Sequence, residues 1–190
     1  LIGHTGSGKS TFIQHLNGLV KPTEGHIYYN GRDIYEQGFN MKELRSRVGL
    51  VFQYPEHQLF ETEIFKDVCF GPKNLGLSQK EVEIRAFESL RLVGIDDNMF
   101  YQSPFDLSGG QKRRVAIAGV LAMKPDVLIL DEPTAGMDPE ERIRIRNFIS
   151  GCAKDKIVLL ATHVVADVEN MAREILLIKN GKIVRRDTPQ

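Results

Sequence analysis

The stretch Gly3-His4-Thr5-Gly6-Ser7-Gly8-Lys9-Ser10 constrains this chain more than any other. It has the form G-x-x-x-x-G-K-S. In a loop of that pattern, backbone N–H groups converge on phosphate oxygens, the lysine reaches the β- and γ-phosphates, and the hydroxyl ligates Mg²⁺. Glycine is needed because a side chain would block so close a backbone approach. Gly3, Thr5, Gly6, Ser7, Gly8, Lys9, Ser10 and Thr11 are therefore the candidate phosphate-binding residues. The pattern predicts a helix over 11–19, closed by Gly18 and Pro22, whose positive end faces the same phosphates. Such a loop is expected to follow a buried strand. Only Leu1 and Ile2 precede Gly3, so the chain reads as a fragment with that strand almost wholly missing.

At 190 residues the chain can bury one sizeable core with a subdomain inserted in it. Lys plus Arg equal Asp plus Glu at 25 each, which excludes a bulk electrostatic pull toward nucleic acid or an anionic membrane. Cys69 and Cys152 have no metal-ligand or redox spacing and read as inert thiols in a reducing compartment. The longest apolar run, Val115 to Met123, is too short to span a bilayer, and no signal peptide precedes the loop. Any membrane involved is crossed by another chain.

Taken in order, Gly25 to Tyr29 reads as a strand, with Asn30-Gly31 turning it into a hairpin through Arg32 to Ile34. Met41 to Ser46 suits a short helix and Val48 to Phe52 a buried strand. Residues 62–115 read as a helical subdomain between core segments 1–61 and 116–190. Within it Ser78-x-x-Glu81 opens a helix as a capping box and Gly94 stops it. A further helix runs from Leu107-Ser108-Gly109-Gly110-Gln111 to Met123. Val127 to Leu130 and Ile157 to Ala161 are buried strands, and Asp138-Pro139-Glu140-Glu141 starts a helix between them. Ile175 to Ile178 and Ile183-Val184 form a closing hairpin around Asn180-Gly181. Strands alternating with helices predict an α/β fold with a mostly parallel, doubly wound sheet.

The remaining chemistry lies at strand ends, where sheets of this kind place ligands. Asp131 follows an apolar strand and is suited to hold Mg²⁺ with Ser10. Glu132 is placed to orient and deprotonate an attacking water. Gln53 is a candidate for polarising that water or touching the metal, and His163 for reporting a γ-phosphate. The Ser108-Gly109-Gly110 turn is a second helix N-terminus stripped of side chains, hence a second anion site. One chain then has two phosphate-binding ends and one P-loop. A dimer in which each Ser108 turn closes on the other copy's nucleotide accounts for both.

Leu107 to Gln111 stands as the signature sequence of the ATP-binding-cassette ATPases, and the whole chain resembles that family in motif order. The resemblance implies ATP as ligand and a P-loop NTPase core with a helical signature subdomain. It assigns Gln53 to the Q-loop, Asp131 and Glu132 to Walker B and the catalytic glutamate, Ala135 to Asp138 to the D-loop, and His163 to the switch histidine. Glu132, His163, Gln53 and Lys9 become the catalytic set, and Ser10, Gln53 and Asp131 the metal set. Ser108, Gly109, Gly110 and Gln111, with Asp138, bind nucleotide across a dimer. Met137 replaces the family's usual leucine. The segment Phe52 to Phe60, Phe70 to Leu77 and the basic Gln111 to Arg114 resemble ATPase subunits of energy-coupling-factor importers of vitamins and cobalt. Thr162 to Glu169 and Arg173 to Lys179 look more like ATPases of drug and peptide exporters. Both branches imply a second ATPase and a transmembrane permease, with this chain at the cytoplasmic membrane face; in the importer branch Leu59 and Phe60 would line the groove that receives the membrane subunit's coupling helices.

Rival readings fare worse. DNA-repair cassettes carry coiled-coil insertions, and the interval Tyr54 to Asp106 has no sustained heptads. Translation-associated cassettes need two copies in one chain. Lys112-Arg113-Arg114 suggests a solvated face or an intersubunit contact before a nucleic-acid patch. Arg142, Arg144 and Arg146 are expected to pair with Glu140 and Glu141 at helical spacing.

Overall fold

The computed structural model describes residues 1–169 and 171–188. Three parallel strands, β3 (Val48–Val51), β4 (Val127–Asp131) and β5 (Ile157–Ala161), form the centre in the order β3-β4-β5. Ile2 then bridges in parallel to both Thr162 and Leu177, linking β5 to the antiparallel hairpin of β6 (Ile175–Lys179) and β7 (Lys182–Asp187). A small hairpin, β1 (Tyr28–Tyr29) and β2 (Arg32–Asp33), stands apart, turned by Asn30 and Gly31 at φ 49° and 78°. The expected strand over 25–29 pairs over only two residues, with one more bond from Ile34 N–H to the Ile27 carbonyl.

The side-chain alternation of β4 divides the core in two. Leu128 and Leu130 point into a cluster with α3 (Ile64–Asn74), α4 (Gln79–Leu92), α5 (Gly109–Leu121) and α6 (Pro139–Cys152). Ile129 points into the other, with Ile13 of α1 (Lys9–Leu16), Leu44 of α2 (Met41–Arg47), Leu50 and Ile178. Helices thus cover both faces, as a near-continuous apolar strand requires. Cys69 and Cys152 are buried free thiols within the first cluster, and burial pushes both upward from the usual thiol pKa.

Local capping sets the helix limits. Asn40, Ser78, Ser108 and Asp138 each accept a backbone N–H three residues on. At Ser78 only half of the expected capping box forms, because the Glu81 carboxylate turns to Arg85 Nε at 2.7 Å. The full reciprocal box is at Ser108 and Gln111. α1 starts two residues before expectation and stops at Asn17, whose Nδ2 donates to the Val48 carbonyl at 2.9 Å. No helix among the described residues is long and apolar enough to cross a membrane.

Phe100 is fully buried between α3 and α4, its ring 5.4 Å from that of Phe87, while its carbonyl accepts from Phe65 N–H. Phe100→Ala is expected to destabilise the protein by about 3–5 kcal/mol, the usual loss for a buried phenyl ring. Urea unfolding of the full-length subunit would show it as a lower midpoint at unchanged slope.

Candidate active site

Strand register brings the candidate residues to one edge. Val51 of β3 stands level with Leu130 of β4, which stands level with Leu160 of β5, and Asp131 lies opposite Ala161. Gln53, Asp131-Glu132 and Thr162-His163 therefore leave the sheet side by side. Ile2, bridged to Thr162, starts the P-loop next to them.

The loop's tight path needs its glycines. A Cβ on Gly3 would lie 2.5 Å from Ser7 Oγ and 2.6 Å from the Ile178 carbonyl oxygen. Gly8 caps α1 at φ 100°, a conformation that L side chains disfavour. The β6–β7 turn braces the loop from outside, Gly181 N–H donating to the Ser7 carbonyl at 2.9 Å. Lys9 is buried; its Nζ donates to the carbonyls of Gly3 at 2.7 Å and His4 at 3.2 Å and lies 3.4 Å from Glu132 Oε1.

Glu132 is the meeting point. It is buried, and its backbone sits at φ 46°, a left-handed conformation that costs a non-glycine residue on the order of 1–3 kcal/mol. Its Oε2 accepts from the His163 backbone N–H at 3.3 Å and lies 2.9 Å from His163 Nδ1. One carboxylate is thus held between an ammonium and an imidazole. It is far from the solvated loop that adjacent acids often occupy.

Asp131 is also buried, and its Oδ1 has no hydrogen-bond partner among the described residues. Burial pushes its carboxyl above the usual carboxylate range and the neighbouring Glu132 adds to this, while the nearby Ser10 hydroxyl and Lys9 pull it down. An orphaned carboxylate oxygen beside a hydroxyl is a hard oxygen pair that suits Mg²⁺, which takes its other ligands from phosphate and water. Among the described residues no cluster of three or more His, Cys, Asp or Glu is able to hold a metal by itself.

The other candidates have no described hydrogen bond to Glu132, Asp131 or Lys9. Gln53 is half-buried just beyond β3, its carbonyl accepting from Arg113 Nη2 at 3.3 Å. Ser108 and Gly109 are exposed. Ser108 and Gln111 bond each other, Gln111 Nε2 also lying 3.9 Å from Met99 Sδ, and no described hydrogen bond joins this turn to the chain's own P-loop. Asp138 is exposed and caps α6.

Two buried networks were hidden in the sequence. Arg113 and Arg114 are only 4% and 8% exposed, so the expected solvated face is not there. Their apolar neighbours from Val115 onward gave the available signal, since a helix packed on several sides has no free face. Of the α6 arginines only Arg144 pairs with Glu140 and Glu141. Arg146 instead grips the fully buried Asp167 through Nε at 2.8 Å and Nη2 at 2.5 Å, and Asp167 also accepts from the Thr134 hydroxyl. The segments after Glu132 and after His163 are tied to α6 in this way.

Comparison with known proteins agrees with this geometry. A family model described as ABC transporter matches residues 1–135. The energy-coupling factor transporter ATP-binding protein EcfA2 of Caldanaerobacter subterraneus subsp. tengcongensis is 54% identical over the whole chain, which spans 67% of that relative. The EcfA2 of Clostridioides difficile is 52% identical with the same coverage. Among solved structures, cbiO1 of Clostridium perfringens, described as part of the ABC transporter complex cbiONQ, matches at a TM-score of 0.88 and 38% identity, covering 99% of this chain and 75% of that one. A dimeric post-hydrolysis ATP-binding cassette bound to ADP and Pi matches at 0.87 and 28% identity, covering 100% of this chain and 84% of that one. The P-loop, the acidic strand end, the signature turn and these likenesses converge: the chain belongs to the ABC transporter family, as one of its ATPase domains.

Proposed function

We propose that this chain is the ATP-hydrolysing domain of an energy-coupling-factor importer of the vitamin and cobalt class, working as one of two ATPases beneath a membrane permease. The observation that carries the reading is Glu132, buried and held between Lys9 of the P-loop and the switch histidine His163. The phosphates of ATP lie on the loop's N–H groups from Thr5 to Thr11, at the positive end of α1. Lys9 then turns from Glu132 and the loop carbonyls to the β- and γ-phosphates. Glu132, released from that ammonium, orients a water and accepts its proton. His163 follows the γ-phosphate through Nδ1 or its backbone. Ser10 and Asp131, with Gln53 nearby, would hold Mg²⁺, which supplies positive charge to the transferred phosphoryl group.

The outward-facing Ser108 turn supports a shared site. Ser108, Gly109, Gly110 and Gln111 of a second copy or close paralogue, approached along with Asp138, complete each nucleotide's enclosure. A groove of about 480 Å³ between the Gln58–Phe60 segment, α3 and α5 supports the membrane partner. Leu59, Phe60, Phe70, Val120 and Met123 give it an apolar wall, with Lys42 and Arg45 on one flank. An amphipathic coupling helix fits such a surface. The chain works at the cytoplasmic membrane face, without a nucleic-acid partner.

Replacing Glu132 by Gln keeps the shape but removes the base. Phosphate release by the full-length dimer should slow by roughly 10²–10⁴, the worth of general-base assistance, with ATP affinity retained. Unchanged turnover would remove Glu132 from that role. Ser108→Arg should leave ATP affinity unchanged, since the turn lies away from the chain's own P-loop, and abolish turnover by blocking closure. Normal hydrolysis by that variant would refute the shared site.

A further inference from the structure

Arg113 is the most heavily engaged buried cation in the molecule's described bonding, and its partners are not scattered. Nε donates to Glu56 Oε2 at 3.3 Å, and Nη2 to Glu56 Oε1 and the Gln53 carbonyl, each at 3.3 Å. Nη1 donates to the Pro133 carbonyl at 3.2 Å and the Ala135 carbonyl at 2.7 Å. These are five bonds for the five N–H groups that a guanidinium has. Every one ends in one of two segments: the turn that follows β3, and the turn that immediately follows Glu132. The charge is met by Glu56, itself mostly buried.

The neighbouring Arg114 shows what a merely structural arginine does here. It donates to the Val93 and Gly94 carbonyls at 3.3 and 2.8 Å and lies 3.5 Å from Glu141, holding a helix end and α6 rather than the site.

Glu56 lies in the 3-10 turn Pro55–Gln58, whose last residue lines the groove together with Leu59 and Phe60 directly after it. On its other side the same segment carries Gln53. Arg113 itself is on α5, whose first turn is the Ser108 cap and whose Val120 lines the groove. We propose that Arg113 is a positioning residue coupling the groove to the hydrolytic site. Its guanidinium holds the 53–56 segment and the 133–135 turn in one frame, so that Gln53 and Glu132 keep a fixed relation, and a displacement of the groove wall moves both. This rests on the ATPase reading of the site. Arginine is required because only a planar fork reaches a carboxylate on one side and two carbonyls on the other; a lysine presents a single nitrogen.

The test compares the full-length subunit, assembled with its partners, as wild type, Arg113→Lys and Glu56→Gln. Arg91→Gln, which breaks an exposed pair with Asp97, serves as control. Arg113→Lys should lower kcat about 10- to 100-fold, the effect of small misplacement at a catalytic group, with KM for ATP little changed. Glu56→Gln should change kcat in the same direction, because it removes the buried guanidinium's counter-charge. Amide hydrogen exchange in the same samples should rise together over 53–60 and 133–138. Wild-type kcat in the folded variants, or a fall explained wholly by a smaller fraction of nucleotide-binding protein, would overturn the proposal. Should Arg113→Lys fail to fold, Glu56→Gln decides alone. Should the wild type not hydrolyse ATP, the ATPase reading fails, and exchange still decides: a joint rise supports the coupling and no rise refutes it.

Discussion

The parallel register of β4 between β3 and β5 is the constraint on which everything else here depends. Because Val51, Leu130 and Leu160 are level, the three strand ends release Gln53, Glu132 and His163 at the same edge. Ile2 adds the P-loop to that edge through its bridge to Thr162. No single contact in the site is strong on its own in water. Together, in a buried setting, they fix a carboxylate between the two groups that the proposed mechanism turns toward the phosphates. The unusual backbone of Glu132 is part of the same arrangement: the left-handed turn at φ 46° follows β4 directly and carries the chain into Pro133 and Thr134.

From that edge the structure extends outward in two buried polar networks. Arg113 ties the turn after β3 to the turn after Glu132. Asp167 ties the segment after His163 to Thr134 and to α6. Each replaces what would otherwise be free loops by segments whose carbonyls and carboxylates have defined partners. Buried polar groups that are fully satisfied specify one arrangement, and the loss of one member leaves the rest unpaired. The site is therefore positioned by residues that touch no nucleotide in the proposed mechanism.

The sequence made legible what depends on near neighbours in the chain. The Ser108 and Asp138 caps, the Asn30-Gly31 and Asn180-Gly181 hairpins and the apolar strands ending at Asp131 and Ala161 are all set by residues within a few positions of one another. Glu132, Lys9 and His163 were nameable because each follows a recognisable strand or loop. What stayed hidden was partnership at a distance. Arg113 meets residues 57 and 60 positions before it and 20 and 22 after it. A basic run therefore looks like surface until the fold wraps around it. Arg146 lies beyond the i,i+3 and i,i+4 reach of Glu140 and Glu141 and pairs with the buried Asp167, where a charge without solvent gains more from its partner. At Ser78 a half-buried Glu81 pairs with Arg85, one turn further on, in place of the cap.

In the proposed dimer each chain carries half of each of two sites, its P-loop facing the Ser108 turn of a second copy or close paralogue. Multi-angle light scattering of the full-length Glu132→Gln subunit, with bound nucleotide counted, tests this most directly. The account predicts monomers in ADP and dimers holding two ATP per dimer in Mg-ATP. A subunit that binds one ATP and stays a monomer, both alone and mixed with its paralogue, would contradict it.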